Sequence, residues 1–368
     1  MTRPTRAVIN WSNLRHNYEL ARQAGAGRAY AVIKANGYGH GLVSCARALS
    51  SADGFAVACV DEAMTLREAG IQRKVVVLQG AYSAEEWTLA SANNIQLVVH
   101  HADQLEQRAQ AKLTEPVGVW LKINSGMNRV GFRPQQADEV IATLAADDKL
   151  DLRYVMTHFA SADDENSPQF AEQLALMTSR EWPVPLSLSN SAAVFTRKEI
   201  NGELVAEGVR RPGICLYGSS PLNYRTAAEL GLKTVMTLES QVISSHCVPA
   251  GENVGYGADW RAQRDTRVGV ITVGYGDGYP RHAPAGTPVL VDGIECPLIG
   301  RVSMDMITVD LTDHPTASVG SHAELWGDNL SVDRIARLCG TIAYELFCQL
   351  TPRVKRVARE LPSDTQNS

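Results

Sequence analysis

Apolar and polar positions along the first two-thirds of the chain follow two interleaved rhythms. Short, nearly continuous apolar runs stand at Ala29–Lys34, Phe55–Cys59, Val75–Leu78, Gln96–Val99, Gly118–Ile123, Arg153–Thr157, Leu186–Ser189 and Val205–Val209. All but the last read as parallel strands buried on both faces. Helix-like stretches lie between them. Asp61–Ala69 opens with acids and stops at Gly70, and Gln136–Ala145 sets Ala137, Val140, Ile141 and Leu144 at helical spacing. Strand starts recur every ~20–35 residues, the length of a βα unit. Eight units in about 220 residues predict a (β/α)8 barrel over positions 9–232, with a doubly wound sheet as the alternative.

After Leu232 the pattern changes. Thr237–Ser245, Arg267–Val273, Pro288–Val291, Ile294–Leu298, Met306–Leu311 and Ala323–Trp326 read as strands without intervening helices, separated by Gly, Pro and Asp turns. They predict a mostly-β domain over 233–368, which residues 1–8 could join, with short helices at Val332–Leu338 and Ala343–Leu350. The tail after Arg359 is expected to be disordered.

Composition narrows the function classes. A content of 45% hydrophobic and 20% charged residues excludes disorder and fibrous repeats. The net charge of -5 removes the electrostatic case for nucleic acid or an anionic membrane. No apolar run has the length of a membrane span, and the start has no signal-peptide core, so a cytoplasmic protein is expected. Seven cysteines without a CxxC pair point to reduced, mostly buried thiols. The histidines show no zinc-ligand spacing, so no metal is expected.

A barrel places chemistry at the carboxyl ends of its strands. The first run closes on Lys34 and continues into Asn36-Gly37-Tyr38-Gly39-His40-Gly41. Lys34 reads either as a snorkelling surface charge or as a desolvated, Schiff-base amine. The fifth run leads to Lys122 and then to Arg129; the sixth leads to His158. The seventh leads to Asn190-Ser191, and the eighth to Arg211-Pro212-Gly213-Ile214. His158 also reads as a core histidine, Ser191 as a helix N-cap and Arg211 as a surface ion pair. Ser191 and the Gly213 and Ile214 amides occupy the loops with which barrels often bind phosphate. A lysine plus a phosphate cradle points to pyridoxal phosphate, with Arg211 a candidate partner for its ring nitrogen. In the β domain, Tyr256, Tyr275 and Tyr279 sit beside glycines, either packing on a neighbouring strand or lining a cleft.

AVIKANGYGHG (31–41), NSGMNRVGF (124–132), THFASAD (157–163), LSNSAA (188–193), RRPGICLYG (210–218), VGYG (254–257), GYGDGYPR (274–281), GRVSMDM (300–306) and AYEL (343–346) together resemble the alanine racemases. The resemblance runs in order through nearly the whole chain and implies interconversion of L- and D-alanine, for peptidoglycan or in alanine catabolism. It implies that Lys34 carries pyridoxal 5'-phosphate and is one base, and that Tyr256 is the base on the opposite face. In that reading Tyr256 comes from the other subunit of a homodimer with shared sites. His158, backed by Arg211, is implied beside the cofactor and bonded to the catalytic tyrosine. Tyr38, Asn190, Ser191, Gly213, Ile214 and Tyr344 are implied around the cofactor, chiefly its phosphate. Arg129, Met304 and Asp305 are implied at the substrate, and Asp163, Tyr275, Arg281 and Arg301 along an entry corridor. Lys122 matches a lysine that some members carry as a carbamate holding Arg129. Gly37 stands where the family usually has Ala, a change expected only to loosen the turn. A fold-related decarboxylase is the competing reading, disfavoured by Arg211 where that family pairs the ring nitrogen with an acid. A non-catalytic cofactor-binding barrel would lack the β domain.

Overall fold

The computed structural model describes residues 3–164, 166–196 and 208–359. The chain divides into two compact units, Leu14–Lys233 and Met1–Asn13 with Thr234–Ser368. The short strand Arg6–Ile9 (β1) belongs to the second unit.

In the first unit, eight strands pair in parallel: Arg28–Val32 (β2), Gly54–Val57 (β3), Val75–Val77 (β4), Ile95–Val99 (β5), Val117–Lys122 (β6), Leu150–Met156 (β7), Leu186–Ser187 (β8) and Val209–Arg210 (β9). Their order is β8-β7-β6-β5-β4-β3-β2-β9. The ends of this sheet are brought together by the Ser187 hydroxyl donating to the Val209 carbonyl at 2.6 Å and the Arg211 amide donating to Ser189 at 2.9 Å. This is the nearly closed (β/α)8 barrel expected from the spacing of the apolar runs. Val75, Val76 and Val77 are all fully buried, as strands covered on both faces require. The expected helices appear as Val60–Glu68 and Ala137–Ala145. The eighth strand lies later than read, at Val209–Arg210; positions 205–207 fall outside the described residues.

The second unit is mostly β. Thr266–Ile271, Pro288–Val291, Ile294–Ile299, Ile307–Asp310 and His322–Trp326 form an antiparallel set with the long strand Met236–Val248 (β10). A register shift between Val242 and Ser244 lets β10 pair His322–Trp326 with its first half and Thr266–Ile271 with its second, which closes the set on itself. β1 pairs antiparallel with β10 and parallel with Lys355–Ala358, two strands absent from the sequence reading. The expected helices appear as Val332–Leu338 and Ala343–Gln349, and the expected disordered tail lies outside the described residues.

Candidate active site

In the barrel unit, the candidate residues gather where the strands end. β2 ends at Val32, and the chain after Lys34 enters a left-handed turn. Ala35, Asn36, Gly37, Tyr38 and Gly39 all have φ between 49° and 77°. Left-handed backbone costs about 1–2 kcal/mol for each residue with a Cβ, so this turn must be held from outside. The holding bonds are local. Gly37 donates to Ile33 at 2.7 Å, Gly39 to Ala35 at 3.0 Å and Gly41 to Asn36 at 2.8 Å. The Asn36 side chain accepts from the Leu42 amide at 2.9 Å, and Glu62 accepts from the Ala35 amide at 2.6 Å.

Gly37 is more than a loosening of this turn. At φ +62°, an added Cβ would stand 2.7 Å from the buried Cys45 Sγ. Glycine relieves both backbone strain and overlap.

Tyr38 is buried and stacks on Tyr217 with ring centres 4.7 Å apart, and Tyr217 donates to the Val32 carbonyl at 3.0 Å. The Tyr38 hydroxyl faces Gly213, where an added Cβ would stand 2.8 Å from it. The Gly213 amide donates to Ser191 Oγ at 2.7 Å, and Ile214 follows, fully buried. The cap of the helix Ser191–Thr196 is Asn190, whose Oδ1 accepts from the Ala193 amide at 3.0 Å. Ser191 is therefore free of the capping role that its position allowed, and its hydroxyl joins the Gly213 cradle instead.

Arg211 is not a surface ion pair. It is buried, and its terminal nitrogens donate only to uncharged oxygens: the Ser187 carbonyl at 2.8 Å, the Ser187 hydroxyl, and the carbonyls of Thr157 and Leu188 at 2.6 and 3.4 Å. Burial brings its pKa down to about 10, which leaves it charged at neutral pH. Lys122 closes β6 nearly buried, and burial followed by the charges of Arg211, Arg129 and Lys34 brings it down to about 8. His158, half-buried after β7, falls to about 3 through burial and then the same arginines and lysines. The site is a cluster of cations around a neutral imidazole. Arg129 is exposed on a loop returned tightly to β6: Gly131 at φ +125° passes where a Cβ would meet the Asn124 nitrogen at 2.7 Å. Asp163 is half-buried in the segment after β7.

In the β unit, Tyr256 is 68% exposed on a turn in which Gly255 and Gly257 have φ of +80° and +77°. It does not pack on a neighbouring strand. Tyr279 does: it is buried and stacks over Trp326 with centroids 6.1 Å apart. The Tyr256 turn lies against Arg301, which is paired with Asp259, and Arg281 is exposed. Tyr275 and Met304 are exposed on adjoining turns joined by the Gly276 amide donating to the Met304 carbonyl at 2.9 Å. Tyr344 is exposed at the start of Ala343–Gln349. The Asp305 carboxylate is taken by Arg353 at 2.6 Å. The buried Asp277 accepts from the Gly274 amide at 2.9 Å and from Arg3 at 2.7 Å, fixing the Tyr275 turn.

Among the described residues, no group of three or more His, Cys, Asp or Glu is placed to hold a metal ion. No helix of the structure is long and apolar enough to cross a membrane. None of the seven cysteines, all among the described residues, is in a disulfide.

Residues 9–221 match the family model "Alanine racemase, N-terminal domain", and residues 235–358 match "Alanine racemase, C-terminal domain". The chain belongs to the alanine racemase family. It is 49% identical over 358 residues to the catabolic alanine racemase of Pseudomonas aeruginosa, covering 96% of this chain and 99% of that one. The solved structure of the biosynthetic alanine racemase from Pseudomonas aeruginosa superimposes with a TM-score of 0.92 at 45% identity, covering 98% of this chain and 100% of that one. The alanine racemase of Bartonella henselae, solved with covalently bound pyridoxal phosphate, gives a TM-score of 0.85 at 27% identity, over 97% of this chain and 99% of that one. Alanine racemases are isomerases, and the decarboxylase reading is not favoured.

Sequence reasoning missed Glu62 and Tyr217, which act on the Lys34 turn through a backbone amide and through stacking. Tyr217 lies inside the RRPGICLYG run and Glu62 inside the Asp61–Ala69 helix pattern. Neither carried a signal of its own beyond those patterns.

Proposed function

We propose that the chain interconverts L- and D-alanine with pyridoxal 5'-phosphate held at the carboxyl ends of β2 and β6 to β9. The observation that carries this is Lys34 following β2 at the barrel end where buried Lys122 and Arg211 also stand, with the charges of Arg211, Arg129 and Lys34 acting on Lys122. Such a cluster calls for an anionic occupant. The residues fit the group. Gly213 leaves open the place that a Cβ would fill beside the Tyr38 hydroxyl, next to Ser191 Oγ and the Ile214 amide, a ready set of phosphate donors. Asn190 and Tyr344 complete that shell in this reading.

When bound, pyridoxal phosphate supplies an imine link to the amino group and withdraws electrons from Cα. Lys34 Nζ moves a proton at one face of Cα, and the Tyr256 hydroxyl moves one at the other. Two bases are needed because a single one returns the proton to the face it left. Arg211, charged at neutral pH, would face the ring nitrogen and disfavour its protonation, which would limit leakage into other reactions. His158, lowered to about 3 chiefly by burial, is neutral at neutral pH and would serve as an acceptor for the Tyr256 hydroxyl. Arg129 and the Met304 amide take the substrate carboxylate. Asp305, with its carboxylate on Arg353, contributes backbone only. Lys122, with a pKa near 8, has the free-amine fraction that carbamate formation requires. Asp163, Tyr275, Arg281 and Arg301 line the approach.

The active unit is a homodimer in the cytoplasm, with Tyr256 serving the partner's barrel; its strong exposure supports this reading. A catabolic and a biosynthetic relative are similarly alike to this chain, at 49% and 45% identity.

The test is incubation with L-alanine in deuterated water, following optical rotation and Cα deuterium. Loss of rotation with deuterium uptake is expected; carbon dioxide release would mean decarboxylation. Lys34→Ala should abolish both activity and cofactor absorbance. Tyr256→Phe should cripple proton exchange from one enantiomer, and wild-type rates in both directions would overturn the two-base assignment.

A further inference from the structure

Several barrel helices begin with the same device, a Glu or Gln at the third helical position reaching back to a backbone amide before the helix. Glu62 accepts from the Ala58 amide at 2.7 Å in Val60–Glu68. Glu86 accepts from the Tyr82 amide at 2.7 Å in Ala84–Ala92. Gln104 accepts from the His100 amide at 2.8 Å in Ala102–Gln110. As helix caps these are equivalent. Glu62 differs in its second oxygen, which crosses to the preceding loop and accepts from the Ala35 amide at 2.6 Å. That amide belongs to the peptide bond joining Lys34 to the first residue of the left-handed turn.

We propose that Glu62 is a positioning residue for Lys34, one carboxylate capping its own helix and clamping the peptide from which the lysine side chain springs. The clamp has a physical reason. Ala35 and Tyr38 hold left-handed backbone that their side chains disfavour, so relaxation toward right-handed geometry is the default there. Relaxation at Ala35 would rotate the Lys34–Ala35 peptide and swing the direction in which the lysine leaves the backbone. A carboxylate fixed at one oxygen by its own helix resists this, because the amide must point at the other oxygen. A neutral amide side chain cannot do the same: glutamine has one acceptor, and its NH2 would face a second donor. The two oxygens of Glu62 are taken by the Ala35 and Ala58 amides, so its effect on chemistry runs through the peptide that carries Lys34.

This inference rests on the reading that Lys34 carries pyridoxal phosphate, and the experiment separates the two. Wild type, Glu62→Gln and Glu86→Gln holoenzymes are compared in thermal unfolding, in kcat and KM for alanine, and in borohydride reduction at one fixed pyridoxal phosphate concentration with peptide mass mapping. Both variants keep a residue type that makes this cap, as Gln104 does, and should have similar thermal stability. Glu62→Gln alone should lower kcat by on the order of 10- to 100-fold while KM stays within about threefold, the effect of a misplaced reacting group. It should also show several-fold less cofactor trapped on Lys34. Glu62→Asp keeps the charge but is one methylene too short to span both amides, and should repeat the kcat loss even if Glu62→Gln folds poorly. Equal kcat and equal Lys34 labelling in Glu62→Gln and Glu86→Gln would overturn the inference. Wild-type label on a lysine other than Lys34 would overturn the function reading beneath it.

Discussion

The Lys34 turn yields a sharp stability prediction at Gly37. Replacing it with Ala puts a Cβ at φ +62° and 2.7 Å from Cys45 Sγ. The backbone contribution is about 1–2 kcal/mol for an L residue in left-handed geometry. The overlap adds about 1–3 kcal/mol, because Cys45 is fully buried and has little room to withdraw. Gly37→Ala should therefore destabilise the turn by about 2–5 kcal/mol. Cys45→Ala alone removes one buried atom, a change of about 1 kcal/mol. In the double variant the new methyl stands near the volume that Sγ leaves, since the next contact, Cys45 Cβ, is at an ordinary 3.4 Å. Only the backbone contribution of about 1–2 kcal/mol should then remain.

A double-mutant cycle reads that coupling, at least about 1 kcal/mol in favour of the pair. Global unfolding suits this chain poorly, because two units and a cofactor depart from two-state behaviour. Amide exchange is the better assay. The Gly39 and Gly41 amides close the turn onto the Ala35 and Asn36 carbonyls, so their protection reports its local opening. Gly37→Ala should lower that protection by roughly 30- to 4000-fold, since each 1.4 kcal/mol is tenfold. Adding Cys45→Ala should recover most of it. Unchanged protection in Gly37→Ala, or no recovery in the double variant, would show that the overlap is not what selects glycine here.

Two further expectations follow from the cation cluster. His158 has a folded pKa near 3, against about 6.5 when unfolded. Between those values the unfolded chain binds the extra proton, so stability rises with pH and falls on acidification, by at most about 1.4 kcal/mol per unit. His158→Gln should flatten the stability slope between pH 6.5 and 4, measured by exchange protection of barrel amides corrected for the intrinsic pH dependence; an unchanged slope refutes the assignment. Lys122, with a pKa near 8, should take up 13C-labelled bicarbonate as a carbamate at pH 8 and show a 13C resonance that Lys122→Met lacks. The same resonance in Lys122→Met would place the modification elsewhere.

What could be read from the sequence, and what could not, divides along physical lines. Strands β2 to β7 were visible because a strand buried on both faces must be apolar throughout, as Val75–Val77 shows. β9 was obscured for the opposite reason. Arg210 and Arg211 are both buried with their guanidinium groups on backbone carbonyls, so a core strand and the residue after it carry two charges. β1 and Lys355–Ala358 pair although they lie at opposite ends of the chain, a long-range register that no local pattern encodes. The edge strand KRVA also reads as solvent-exposed loop, since charge on an edge strand is what keeps it from pairing further.

The site divides in the same way. Lys34, Lys122, His158 and Arg211 stood out as polar groups placed where apolar runs end, and the barrel topology accounts for why those ends converge. The left-handed path from Ala35 to Tyr38 did not stand out, because Ala35 and Tyr38 are types that ordinarily avoid it. Backbone held against its own preference leaves no mark on the residues that bear the strain. The mark falls on their holders: on Gly37, which Cys45 forces to be small, and on Glu62, an acid at a cap position that is also commonly filled by Gln. A sequence reading that asks only which residues can do chemistry passes over both, although they fix where Lys34 stands.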